Sequence, residues 1–93
     1  MDKVAELVGL IDIAIAKAIE TAARASGTTD AWMSEDATAA MQQLEQLKQQ
    51  AVSGQLPPSR GGGLGITRAL GEWAPDDLFA AGKTVEDYFR QHW

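Results

Sequence analysis

The sequence contains no cysteine, one histidine and only three prolines among its 93 residues. Without cysteine, the chain has neither a disulfide nor a thiolate site for a metal or a nucleophile. The single His92 cannot build a histidine metal centre, and we expect no metal and no other cofactor. Eight basic residues against thirteen acidic ones give a net charge of −5, whereas a nucleic-acid-binding domain usually presents a basic face. We therefore expect no nucleic-acid partner.

Long hydrophobic runs are also missing. The longest nearly apolar run, residues 7–19, is interrupted by Asp12 and Lys17 and is too short to span a bilayer. The first six residues lack the positive segment of a secretory signal. We therefore expect a cytoplasmic protein with no membrane partner, and the 45% apolar content fits a single globular domain over residues 1–93.

The first half of the chain predicts two long helices. From residue 3 to 26 the apolar side chains recur at helical spacing, which indicates an amphipathic helix that ends before Gly27. A second helix is predicted over 35–53, with Ser34 as its N-cap and Gly54 after its end.

The second half predicts a linker and two further helices. The stretch 54–65 contains two adjacent prolines and is rich in glycine, so we expect a linker there. Helical spacing resumes in a short helix over 66–74 and, after Pro75, in a helix over 76–92. A break of this last helix at Gly82 is the alternative that the spacing leaves open.

These patterns predict an all-α fold, because no segment alternates with the period of a β-strand. We expect a small bundle of three long helices and one short one, with the first two as an antiparallel hairpin. The expected core comprises Val8, Ile11, Ile15, Ile19, Leu44, Leu47, Leu70, Trp73, Leu78, Val85 and Phe89.

The sequence offers no catalytic constellation. Its paired carboxylates, such as Asp76 and Asp77, are adjacent on predicted helices, and neighbouring helical side chains do not face each other. A histidine at position 92 is poorly placed to serve as a preorganised base for a serine. We therefore predict that the chain is not an enzyme.

The glycine-rich loop is a candidate anion site. Residues 55–75 are the only net-positive stretch, and backbone N–H groups at a helix start can hold a phosphate or carboxylate. No preceding strand and no Walker lysine accompany the loop, so a plain tether between helices is the simpler interpretation. The residues of the candidate site are Arg60, Gly61, Gly62, Gly63, Gly65 and Arg68.

Asp12 lies at the rim of the apolar face of the first helix. A buried carboxylate there would need a cation such as Arg68 or Arg60. The simpler interpretation is that Asp12 faces water.

The first helix carries the clearest indication of a binding surface. Leu10 and Ile13 lie on its polar face between Glu6 and Lys17, so the helix is apolar over most of its circumference. Such a helix either lies at the centre of the fold or packs against another chain. The sequence therefore predicts a non-catalytic protein-interaction protein, an acidic adaptor, regulator or immunity-type inhibitor that is homodimeric through these four residues. The alternative is an accessory module that binds an anionic small molecule at the glycine loop.

Overall fold

The computed structural model describes residues 2–25, 31–56, 58, 65–71 and 73–93. Four helices account for most of these residues, and no strand occurs within the described ranges: α1 is Lys3–Ala25, α2 is Ala31–Val52, α3 is Ile66–Leu70 and α4 is Asp76–His92. The all-α fold predicted from the spacing is therefore confirmed. The predicted linker at 54–65 and the predicted cap at Gly27 fall largely or wholly outside the described residues.

Local chemistry sets the helix ends. The Asp2 carboxylate accepts the Val4 N–H at 3.0 Å and so caps the start of α1. Gly54, at φ 74°, follows α2, and the Gln55 N–H returns to the Gln50 carbonyl at 2.9 Å. This 6→1 bond and the left-handed glycine are the features of a Schellman cap.

Two predicted details of the helices are wrong, and one alternative left open by the spacing does not occur. α2 begins at Ala31, so Ser34 lies inside the helix and is not its N-cap; its carbonyl accepts the Thr38 hydroxyl at 2.9 Å. α3 ends at Leu70 rather than at residue 74, with Gly71 as its C-cap. α4 runs unbroken through Gly82, so the alternative break does not occur.

α1 is the central helix, in contact with α2 and with α4, and α3 packs on α4. Two core clusters result. The first joins α1, α2 and α4 and contains Leu7, Ile11, Ala14, Leu44, Leu47, Ala51 and Val85. The second joins all four helices and contains Ala18, Ala40, Leu70 and Leu78.

The predicted core included several residues that the structure leaves partly exposed. Ile19 is 51% exposed, and Val8, Ile15 and Trp73 are only half-buried. Ala18 takes the buried position, and the next residue along a helix points about 100° further round, so Ile19 lies outside the contact. Small side chains therefore form much of the α1 contact surface that the sequence assigned to larger ones.

Candidate functional site

The four side chains predicted as an interface on α1 divide into two groups. Lys17 lies 3.8 Å from the Asp77 carboxylate of α4, and Glu6 forms a side-chain hydrogen bond with Tyr88. Leu10 is half-buried and packs against the first core cluster. Ile13, in contrast, is 55% exposed. Contacts within the chain thus account for three of the four residues, and Ile13 alone of the four is a large exposed apolar side chain.

Ile13 lies near the middle of what we call the outer face of α1. At 100° per residue, this face lies about 80–180° round the helix from the centre of the buried residues, on the side that borders α4. All its members are exposed except Lys17, which is half-buried. They are Asp2, Glu6, Gly9, Ile13, Ala16, Lys17, Glu20 and Arg24.

Charge is unevenly distributed along the outer face. Its N-terminal end carries Asp2 and Glu6, whereas its C-terminal end carries Lys17 and Arg24 together with Glu20. Both bases approach one oxygen of the Asp77 carboxylate, at 3.8 and 3.9 Å, and their side chains are 39% and 58% exposed. Long ion pairs between exposed groups contribute little stability. The bases therefore lose little if they turn towards a second carboxylate.

Two carboxylates raise the pKa of Tyr88, beside this face on α4. Burial is the largest cause of the rise, followed by the hydrogen bond with Glu6 and the negative charges of Glu6 and Asp2. The phenol is the donor, and the Glu6 carboxylate accepts its hydrogen bond. This bond joins the N-terminal end of α1 to α4.

Asp12 is exposed, as the simpler interpretation of the sequence held. Its partner is Lys48 on α2, at 2.8 Å, rather than the suggested Arg68; Arg60 lies outside the described residues. Both side chains remain 40–50% exposed, so the pair lies at the surface between α1 and α2. We expect it to add at most ~1 kcal/mol to stability.

The candidate anion site lies mostly outside the described residues, which include only Gly65 and Arg68 of its members; both are exposed. The helix start that was to supply its donors already holds a carboxylate. The side chain of Glu86, on α4, accepts the Ile66 N–H at 3.0 Å and the hydroxyl of Thr67. An external anion would have to displace Glu86 from these donors.

Glu86 is 3% exposed, yet it remains a good acceptor. Burial raises its pKa, but the hydrogen bonds from Thr67 and Ile66 outweigh burial and hold the pKa below its usual value. The sequence reasoning missed this role because the partners of Glu86 lie about twenty positions earlier in the chain, on another helix. Two signals were present: the helix start at 66 has no Asp, Asn, Ser or Thr as its cap, and Glu86 borders the apolar face of α4.

A cleft of about 290 Å³ lies between α2 and α3. Leu44 and Leu47 of α2 line it, with Ile66 and Leu70 of α3. Three amide side chains of α2 line it as well, namely Gln43, Gln46 and Gln50. The described lining residues carry no charge, and the volume is at the lower limit of small-molecule sites. The cleft therefore offers apolar contact and amide hydrogen bonds.

Within the described part of the chain, no three histidine or carboxylate side chains are grouped closely enough to hold a metal ion. No helix in the same residues is both long and apolar enough to cross a membrane. Comparison with protein-family models, curated proteins and solved structures found no match.

Proposed function

We propose that this chain is a non-catalytic protein-interaction protein, an acidic adaptor, regulator or immunity-type inhibitor, that forms a homodimer through the outer face of α1. The observation that carries the proposal is the exposure of Ile13. The contacts of α1 with α2 and α4 bury the core side of the helix, yet Ile13 remains 55% exposed near the middle of the outer face. A second chain would cover it.

The arrangement of α1 and α2 as an antiparallel hairpin belongs to this proposal. Its support is the pairing of Asp12, early in α1, with Lys48, late in α2. The second core cluster agrees, because it places Ala18 with Ala40, further from those ends. In such a hairpin with α4 on the other flank, the outer face of α1 touches α4 through Glu6, Lys17 and Arg24, and its other members stay exposed.

The dimensions of the face indicate a reversible dimer. A helix of 23 residues is about 34 Å long, and a strip roughly 10 Å wide along it covers roughly 350 Å². Stable interfaces bury about 800 Å² on each partner. We therefore expect a weak dimer, with the borders of α2 and α4 adding to the contact.

The test is the mass of the chain in solution, measured by light scattering over a micromolar concentration series. Full burial of an isoleucine contributes about 1.5–3 kcal/mol. Roughly half of that remains to be gained at Ile13, and the dimer gains it twice. Ile13→Glu should therefore raise the dissociation constant by about 10- to 150-fold.

Val52→Glu is the matched control, because Val52 is 66% exposed and lies at the end of α2. It introduces the same charge without touching the outer face of α1. We expect Val52→Glu to dimerise as the parent does. A parent chain that keeps the mass of one molecule over the whole series would refute the proposal. Equal weakening of the dimer by both variants would show that the interface is not centred on Ile13.

A further inference from the structure

We infer that the two α1 helices of the dimer pack antiparallel, about a twofold axis close to Ile13; this inference rests on the function proposed above. The argument starts from symmetry. A twofold-symmetric contact uses the same surface patch on both subunits, so the partner of each residue depends only on the relative direction of the helices. The charges on the outer face then distinguish the two directions.

A parallel pair would place each charge beside its own copy. Asp2 and Glu6 would face the same acids of the second chain, Lys17 and Arg24 would face the same bases, and Glu20 would face its copy. Each directly opposed contact therefore joins like charges, although Glu20 of one chain also lies within about one turn of Lys17 and Arg24 of the other. Like charges directly opposed across a contact disfavour association.

An antiparallel pair exchanges the two ends. Asp2 and Arg24 are each eleven positions from Ile13, so a twofold axis there places each Asp2 beside the Arg24 of the second chain. Lys17 of one chain also lies at the same end of the helix pair as Glu6 of the second chain. The remaining like-charge contact is between Glu6 and Glu20.

Lys17 and Arg24 can turn from Asp77 towards acids of the second chain. Their contacts with Asp77, at 3.8 and 3.9 Å, are longer than a charge-assisted hydrogen bond of about 2.7–2.9 Å. The middle of the face permits close approach, because an added Cβ at Gly9 would meet nothing within 4 Å. A crossing angle of about 20°, common in helix pairs, keeps the charged ends of the two helices near each other.

The absence of cysteine from the sequence allows a direct test with single-cysteine variants. Glu6→Cys and Glu20→Cys each alter an exposed position of the outer face, seven residues to either side of Ile13. In the antiparallel dimer the thiol introduced by Glu6→Cys faces the thiol introduced by Glu20→Cys, whereas two thiols at the same position are about 21 Å apart along the axis. A short bifunctional maleimide joins the first pair and cannot reach across the second.

We expect the mixture of Glu6→Cys and Glu20→Cys chains to yield a cross-linked heterodimer, and each variant alone to yield little. A self-cross-link of each variant alone would establish a parallel pair and overturn the inference. No cross-link in any sample, with a dimer mass retained, would place the contact on another surface and would also overturn it. Light scattering on the same samples separates these results from failure of the proposed function, in which no dimer forms. Circular dichroism verifies that both variants fold.

Discussion

Gly82→Ala tests whether α3 is held by close contact with α4. An ideal Cβ at Gly82 would lie 2.5 Å from the Leu70 Cδ1 atom and 2.9 Å from the Ile66 Cγ2 atom. Real Cβ atoms essentially never approach another heavy atom so closely. Leu70 is 2% exposed, and the Cγ2 of Ile66 is fixed directly to its own Cβ, so neither atom moves aside easily. The added methyl group must therefore displace α3.

The expected magnitude combines two opposing effects. Alanine is favoured over glycine inside a helix by about 1 kcal/mol. Overpacking a filled contact costs about 1–3 kcal/mol. The net change for Gly82→Ala alone is therefore between roughly neutral and about 2 kcal/mol of destabilisation.

Gly9→Ala isolates the packing effect. Gly9 also lies inside a helix, but in the single chain an added Cβ there meets nothing within 4 Å, so only the propensity gain applies when unfolding is measured at a concentration where the chain is a monomer. We expect Gly82→Ala to be less stable than Gly9→Ala by about 1–3 kcal/mol. For a domain of this size, that difference lowers the melting temperature by about 4–8 °C per kcal/mol. Thermal and urea unfolding of the two variants measure it, and equal stability would refute the close contact of α3 with α4.

Three further predictions concern particular contacts. Glu86→Gln should destabilise the fold by about 1.5–3 kcal/mol at neutral pH, because a charge-assisted acceptor of two donors is replaced; Thr67→Val should have a smaller effect in the same direction, and urea unfolding compares them. Because the folded-state pKa of Glu86 is lowered, the stability that Glu86 contributes is present above its unfolded pKa and is lost as the pH falls through the folded value. The parent and the Glu86→Gln chain should therefore differ in how their stability depends on pH in acid, and the same dependence in both would contradict this. Trp73→Ala should lower the free energy of unfolding by less than the ~3–5 kcal/mol of a fully buried tryptophan, since its ring is half-buried. A Trp73→Ala chain that does not fold would show that the ring belongs to the core. A double-mutant cycle at Asp12 and Lys48 should give a coupling below ~1 kcal/mol, and a larger value would contradict their exposure.

The three long helices could be predicted because each is long enough for its apolar side chains to repeat. The spacing predicts α4 with the bounds observed, and it places Leu78, Val85 and Phe89 on the buried face. Periodicity reports which face is apolar but not how much of it a neighbour covers. Ile19 shows the difference, because it continues the apolar pattern of α1 and remains half exposed.

The contacts of α3 could not be predicted in the same way. Its five residues are too few to show which side of the helix is buried. Its cap comes from Glu86, some twenty positions further along the chain. A cap donated by another helix depends on tertiary packing, which spacing within one segment does not encode. Gly82 is similar, since its lack of a side chain has meaning only beside Leu70 and Ile66.

The structure also decides which substitution can test the interface on α1. Leu10 and Ile13 looked equivalent in the sequence, since both interrupt a polar face. Leu10, however, packs against the first core cluster, so a charge at that position would be forced against apolar side chains and would destabilise the monomer itself. Loss of a dimer in a Leu10→Glu chain would therefore say nothing about the contact between chains. Ile13 can be changed with the core intact, so the mass of an Ile13→Glu chain that remains helical reports on the association alone.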